Sequence, residues 1–346
     1  MTVAGFAVVG AGNIGNVHAQ AIAAIPEARL SVVCDEFEER GRALALVFGA
    51  QWAADYRQAV VRSDVDVVCV CTPSGTHAEI AEAAAQAGKH LVVEKPLDVT
   101  LERVDRIISA AERAAIKMTC IFPLRFKLGA HKAKEAIEQG RLGKIVLADA
   151  SVKWYRPQQY YDGIWRGTWD MDGGGALMNQ SIHSIDLLQW LVGPVDSVFG
   201  HMATLAHHIE TEDTASAVVA YKNGALGVIQ GATSCWPGDN ARVELHGTQG
   251  TVALEDGRIV VWKLADGKPE EEDRMLHLEE SVGSGRSDPA AIGYELHRRQ
   301  ILDFVQAVQQ DHPPAVVGPE GRKAVEIILA IYRSSKTSSP VSLPLS

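Results

Sequence analysis

Along the first third of the chain, apolar runs of strand length alternate with Ala-rich segments of helical period. Phe6–Val9, Leu30–Cys34, Val65–Cys71 and His90–Val93 read as strands, and Gly15–Ala24, Glu39–Phe48 and Ala78–Ala87 as helices. A further helix, Leu101–Ala114, leads to Lys117–Ile121, counted as a sixth strand. Strands apolar on both faces that alternate with helices predict a parallel sheet covered on both sides. Six strand–helix units in about 120 residues match a doubly wound dinucleotide fold.

Beyond Pro123 the rhythm changes. A helix is predicted at 127–139, a strand over Ile145–Lys153, and a helix over Ala176–Leu191 behind the run Gly173-Gly174-Gly175. Strand patterns follow at Val195–Leu205, Thr214–Tyr221, Ala225–Thr233, Ala241–Gly247, Gly250–Leu254 and Arg258–Leu264. Asn223-Gly224 and Asp256-Gly257 are hairpin-turn dipeptides between such runs. The polar stretch 266–290 reads as a loop, and helices over 294–310 and 319–334 close the chain. The expected architecture is α/β, with a doubly wound Rossmann domain over 1–122 and an α+β domain over 123–346. The sheet of the second is mainly antiparallel with helices on one face.

Composition narrows the function classes. The 346 residues carry 33 Lys+Arg against 43 Asp+Glu, a formal net charge of −10, which disfavours nucleic acid and anionic membrane as partners. Residues 123–170 are an exception, with nine basic and five acidic residues, a local +4 suited either to an anionic small molecule or to a solvated helix face. Within that stretch, six of the 21 aromatic residues fall in sixteen positions: Trp154, Tyr155, Tyr160, Tyr161, Trp165 and Trp169. Five cysteines without a C-x-x-C pair read as buried thiols of a reducing compartment. With no leader-like segment before the first strand and no apolar run of the ~18–20 residues a spanning helix needs, a cytoplasmic location is expected.

Gly10-Ala11-Gly12-Asn13-Ile14-Gly15 follows a strand, opens a helix, and precedes Asp35 at the end of the next strand. That context makes G-x-G-x-x-G a dinucleotide signature: backbone N–H groups, including those of Asn13 and Ile14, approach a pyrophosphate at the helix N-terminus. Asp35 accepts the ribose hydroxyls and repels a 2′-phosphate, which favours NAD over NADP. Cys71-Thr72-Pro73-Ser74-Gly75-Thr76-His77 meets the same sheet edge, where Thr72 and Pro73 line the cofactor and His77 either joins them or caps or starts the helix.

Glu94-Lys95-Pro96 follows the strand His90–Val93. Together with the glycine loop, the 72–77 segment and Gly173-Gly174-Gly175-Ala176-Leu177-Met178-Asn179-Gln180-Ser181-Ile182-His183, it makes the whole chain resemble the Gfo/Idh/MocA oxidoreductases. That resemblance implies a second domain with a large open sheet, NAD(P) as cofactor, cofactor contact by Glu94 and Lys95, a cis peptide before Pro96, substrate contact by Lys95, and a homodimer or homotetramer. The chemistry of Lys95 also stands alone, since an ammonium beside a substrate hydroxyl stabilises the alkoxide character that develops as hydride leaves. No residue spacing suggests a metal site.

Asn179 and His183, spaced i, i+4, fall on one helix face. The family commonly has aspartate where this chain has Asn179, which removes one proton acceptor and leaves His183 as the base, with Asn179 positioning a hydroxyl. Asp186 either orients His183 or is structural. Arg125, Tyr155, Arg156, Tyr160, Trp165 and Arg166 complete the candidate substrate contacts, because aromatic faces pack on sugar C–H faces while Arg binds carboxylates or phosphates. The same residue types suit a subunit interface equally well. The function so implied is an NAD-dependent oxidoreductase acting on a secondary hydroxyl or keto carbon of a sugar, polyol or sugar derivative. Alternatives are a UDP-sugar 3-dehydrogenase of the N-acetylhexosaminuronate type, which also carries asparagine before the histidine, and a non-catalytic dinucleotide or sugar sensor.

Overall fold

A computed structural model describes residues 3–163, 165–278 and 293–345. It divides into two compact units, one made of Met1–Phe122 with Ile292–Arg322, the other of Pro123–Ala291 with Lys323–Ser346.

The first unit runs β1 (Ala4–Val9), α1 (Asn13–Ala23), β2 (Ala28–Cys34), α2 (Glu38–Val47), β3 (Gln51–Ala53), α3 (Tyr56–Val60), β4 (Val67–Val70), α4 (His77–Gln86), β5 (His90–Val93), α5 (Leu101–Arg113) and β6 (Met118–Cys120). All strand pairs are parallel, in the order β3-β2-β1-β4-β5-β6. This is the doubly wound order, with its crevice beside β1 where the winding reverses. The strands named from sequence omitted one of the six; it is the three-residue β3, too short to show a pattern. Register aligns Val9 with Cys34 and Val70, Val70 with Val93, and Val93 with Cys120. Gly10, Asp35, Cys71 and Glu94 therefore leave the sheet along one line.

The division expected at residue 122 misses a return of the chain to this unit. Helix α9 of the first unit, whose range is given below, buries Ile301, Phe304 and Val305 in the core formed by Phe6, Val8, Ile22 and Val33. Buried Gln300 accepts the Phe122 N–H at 3.0 Å and donates to the Cys120 carbonyl at 2.7 Å. Burial of these apolar side chains contributes roughly 2 kcal/mol each, which draws the segment back.

The second unit contains α6 (Leu128–Glu138), β7 (Ile145–Lys153), a π-helical turn (Ala176–Ser181), α7 (Ile182–Val192), β8 (Val195–Ala203), β9 (Thr214–Tyr221), β10 (Leu226–Ala232), β11 (Arg242–Gly247), β12 (Gly250–Glu255), β13 (Arg258–Leu264) and α8 (Pro269–Leu276). Then come α9 (Glu295–Gln309), which belongs to the first unit, α10 (Gly318–Thr337), which belongs to the first unit up to Arg322 and to the second from Lys323, and β14 (Val341–Ser342) of the second. The eight-stranded sheet has the order β13-β12-β11-β7-β10-β9-β8-β14; only β7–β10 is parallel. One face packs against α7 and the π-turn. On the other, Phe199 stands opposite Val218 and Leu147 opposite Leu226, all four exposed. The expected loop 266–290 instead begins with α8, started by Pro269 at its first turn and three glutamates that favour a helix N-terminus. Its part over 279–290 lies outside the described residues.

Candidate active site

The glycines of the first unit have separable reasons. Gly10 has φ +99°, and a Cβ there would strike the Cys71 carbonyl. A Cβ at Gly15 would strike the Gly10 carbonyl, whereas one at Gly12 meets nothing within 4 Å. The first and third glycines thus serve the turn and the helix–strand contact, and the second leaves open space where a pyrophosphate approaches α1. Asn13 is exposed and Ile14 half-buried at that helix start. The cradle fits a dinucleotide.

Asp35 closes this loop. Its carboxylate accepts the Ala11 N–H at 2.7 Å and the Phe37 N–H at 2.9 Å, and Arg40 grips both oxygens at 2.8 Å. The expected ribose acceptor is thus already engaged by the loop and by a half-exposed guanidinium that rests on Phe37. Sequence reasoning missed Arg40.

Thr72 and Pro73 are half-buried at the edge, with the Thr76 hydroxyl donating to Thr72 Oγ1 at 2.7 Å. His77 starts α4 as its first residue and does not reach outward. It is buried, with Nδ1 3.0 Å from the Pro96 carbonyl and Nε2 2.9 Å from the Thr72 carbonyl, so it braces two edge loops. Asp98 accepts the Ala78 N–H at 2.9 Å in the first turn of α4. The Lys95–Pro96 peptide is cis, and Lys95 is half-buried. Glu94 does not face outward as a cofactor contact. It is buried, with Oε1 2.8 Å from His18 Nε2 and Oε2 accepting the Lys95 N–H at 3.1 Å.

In the second unit, Asn179 lies on the π-turn and His183 on the first turn of α7. The α-helical spacing assumed from sequence therefore does not hold between them. The Ser181 hydroxyl donates to the Ala176 carbonyl five residues back, at 2.8 Å. Asn179 Nδ2 donates to buried Asp172 at 2.5 Å, which also accepts the Gly167 N–H. The turn is anchored by Glu212, whose oxygens accept the Gly175 and Leu177 N–H groups at 2.8 Å and the Tyr332 hydroxyl at 2.9 Å. A Cβ at Gly175 would collide with the Glu212 carbonyl, which accounts for glycine before the turn. Burial pushes the Glu212 carboxyl up to about 7 despite those three donors.

Arg125 is not presented to substrate. It is buried in a two-pronged ion pair with Asp186, at 2.6 and 2.8 Å. The loop aromatics do gather. The Arg166 guanidinium lies 4.7 Å from the Tyr160 ring and 4.6 Å from Trp165, and buried Arg156 lies 5.6 Å from Tyr160 and 5.0 Å from Trp154. Gln180 donates to the Tyr160 hydroxyl at 3.1 Å. Tyr155 is exposed and bridges to Ser234. His207 joins Asp213 to the Arg156 carbonyl, at 2.9 and 2.7 Å, a brace that sequence spacing did not reveal.

Comparison with known proteins places this geometry. Residues 4–122 match the oxidoreductase family with an NAD-binding Rossmann fold, and residues 130–253 the GFO/IDH/MocA C-terminal domain. The chain is 30% identical to myo-inositol 2-dehydrogenase of Thermotoga maritima over 97% of each chain. It is 28% identical to inositol 2-dehydrogenase of Rhizobium meliloti over 98% of each. The crystal structure of the WlbA dehydrogenase of Bordetella pertussis in complex with NADH and UDP-GlcNAcA superposes with a TM-score of 0.90 at 34% identity, covering 100% of this chain and 99% of that one.

Proposed function

The chain belongs to the Gfo/Idh/MocA family of NAD-binding oxidoreductases, and on that premise we propose that it moves a hydride between NAD and a secondary carbinol carbon of a sugar, polyol or sugar derivative. The observation that carries this reading is the placement of Lys95: it follows β5 one residue beyond Glu94, which leaves the sheet on the same register line as Gly10 and Asp35. NAD, when bound, supplies the hydride acceptor. Gly10, Gly12 and Gly15 shape its cradle, and Asp35 receives the ribose hydroxyls once Arg40 swings aside.

Lys95 donates a hydrogen bond to the substrate oxygen and stabilises its developing negative charge. His183 takes the hydroxyl proton in oxidation and returns it in reduction. Asp172 fixes the Asn179 amide, which positions a neighbouring substrate hydroxyl. Formation of NADH at 340 nm with myo-inositol, hexoses, uronic acids and UDP-GlcNAcA tests the reading, with Lys95→Ala and His183→Ala alongside. Full turnover in both variants would overturn the assigned roles, and tight NADH binding without turnover on any compound would favour a sensor.

A second reading, a UDP-sugar as substrate, is supported by the paired guanidiniums of Arg156 and Arg166 around Tyr160, chemistry suited to a carboxylate or diphosphate. UDP binding by calorimetry, weakened in Arg166→Ala, supports it; no heat with UDP counts against it. The exposed apolar pairs Phe199/Val218 and Leu147/Leu226 suit pairing of the open sheet face with a second copy, giving a dimer or tetramer. Free, buried Cys34, Cys69, Cys71 and Cys120 suit a reducing cytoplasm.

A further inference from the structure

Three titratable side chains from distant parts of the sequence meet beneath Lys95: His18 on α1, Glu94 after β5, and His297 on α9, all buried. His18 Nε2 lies 2.8 Å and His297 Nε2 3.5 Å from the same oxygen, Glu94 Oε1. The other oxygen, Oε2, takes the Lys95 N–H at 3.1 Å. The two imidazoles stand edge to face with centroids 5.4 Å apart. Both Nδ1 atoms are buried and have no hydrogen-bond partner among the described residues.

Two histidines and a carboxylate are also a common metal-ligand set, so the Nδ1 atoms decide between two chemistries. A metal on the Nε2 atoms would force each Nδ1 to carry its proton into a place without an acceptor, whereas metal-ligating histidines almost always donate that proton to one. With the proton on Nε2, facing Glu94, each Nδ1 is only a lone pair without a partner among the described residues, and no N–H is left buried and unpaired. That tautomer is the one the surroundings favour. The 2.8 Å separation from His18 is a hydrogen-bond length for N–H to carboxylate.

We infer that His18 and His297 form a two-donor clamp on Glu94, and that this clamp is the positioning device for Lys95, reaching it through the Lys95 main-chain N–H. The inference rests on the proposed role of Lys95. It adds two positioning residues, one of them 202 positions from Lys95 along the chain. Two donors on Oε1 fix the plane of the carboxylate, and Oε2 then fixes the peptide from which the Lys95 side chain springs. The clamp carries a negative charge toward the base of an ammonium-bearing residue. Burial holds the Cys69 thiol of β4 and the Cys71 thiol just after it, the other titratable groups that face Glu94, in their neutral form.

The test uses the full chain and the compound that gives the fastest NADH formation in the panel above. It compares Lys95→Ala, His297→Leu, His297→Asn and His297→Gln, with NADH affinity by fluorescence, melting temperature, and metal content by elemental analysis. His297→Leu is expected to lower kcat by roughly 100-fold, the cost of a misplaced catalytic group, while KM and NADH affinity stay near wild type. His297→Gln, whose amide N–H reaches the Nε2 position, recovers kcat; His297→Asn, whose amide stops short of it, does not. That Gln-over-Asn order holds the test together even where the leucine variant fails to fold. Wild-type kcat in His297→Leu, equal kcat in the Gln and Asn variants, or one equivalent of metal in the wild type lost from His297→Leu would each overturn the clamp. Should Lys95→Ala itself turn over at the wild-type rate, the reading of Lys95 fails first; Lys95→Ala inactive beside an active His297→Leu removes the clamp alone.

Discussion

Glu94 in the first unit and Glu212 in the second are both buried carboxylates that hold the backbone of a segment bearing a residue proposed to act on substrate, yet their proton affinities go opposite ways. Burial penalises the charge of each, and it is the largest influence on both. At Glu94 the hydrogen bonds from His18 and His297 overcome it and hold the carboxyl well below its usual range. At Glu212 the donors are two peptide N–H groups and a tyrosine hydroxyl, which do not overcome it, and the carboxyl rises to about 7. Depth alone therefore does not set the charge of a buried acid; the balance between burial and the hydrogen bonds around it does. The first unit keeps an anion under Lys95, while the second holds the Asn179 turn with a group that titrates near neutrality.

The largest effect expected is at the groups these acids serve. Lys95→Ala is predicted to reduce NADH formation by about 10²–10³, the usual cost of losing one preorganised donor to a developing oxyanion, measured as kcat at saturating NAD. Next comes the pH response, where the two units should diverge. Glu212 gains proton affinity on folding, so its contribution to stability is complete below 4.5 and lost as pH rises through about 7. Relative to Glu212→Gln, wild type should lose roughly 3 kcal/mol between about pH 5 and pH 8, read from denaturant melts at each pH.

His18 and Glu94 have the reverse sign. Burial lowers the His18 pKa, so its contribution is complete above 6.5 and lost as pH falls below that. The share from Glu94 is complete above 4.5 and lost on further acidification. Hydrogen exchange, corrected for intrinsic rates, should show peptides around Lys95 loosening in acid and those around Gly175 loosening in alkali; parallel trends would erase the contrast. A smaller change follows His297→Leu, which leaves Glu94 one donor short and should cost about 2–3 kcal/mol at neutral pH in the same melts. The smallest concerns Asp35: Asp35→Ser frees Arg40 for a 2′-phosphate and should move the NADP-to-NAD preference by about tenfold, measured as a ratio of kcat/KM.

What the sequence disclosed was local. Gly10, Gly12, Gly15 and Asp35 span two strands and one helix, and Glu94-Lys95-Pro96 abuts its strand, so pattern alone places them on the sheet edge. Pairings across long separations were hidden. Arg125 looked like a substrate ligand because its partner Asp186 is 61 residues away. Glu94 looked like a cofactor contact because nothing near it in sequence announces His18 or His297. The π-turn at Ala176–Ser181 escaped because helical periodicity averages over it, and its causes, Glu212 and Gly231 packed against Ser181, come from other strands and loops. Strand β3 and helix α8 were too short for their patterns to stand out.

The return of α9 to the first unit also governs timing. A ribosome that has delivered Phe122 has made every strand of the nucleotide sheet but not Gln300, Phe304 or His297. At about 5–20 residues per second, the nearly two hundred residues that intervene before α9 is complete take roughly 10–40 s. Through that interval the nascent sheet lacks the side chains that cover Phe6, Val33 and Ile22, and Glu94 lacks its second donor. Newly made chains are thus most exposed to chaperones and proteases while the cofactor cradle is drawn but not closed, and any tool that excises residues 1–122 as a ready-made NAD module stops synthesis at that vulnerable stage.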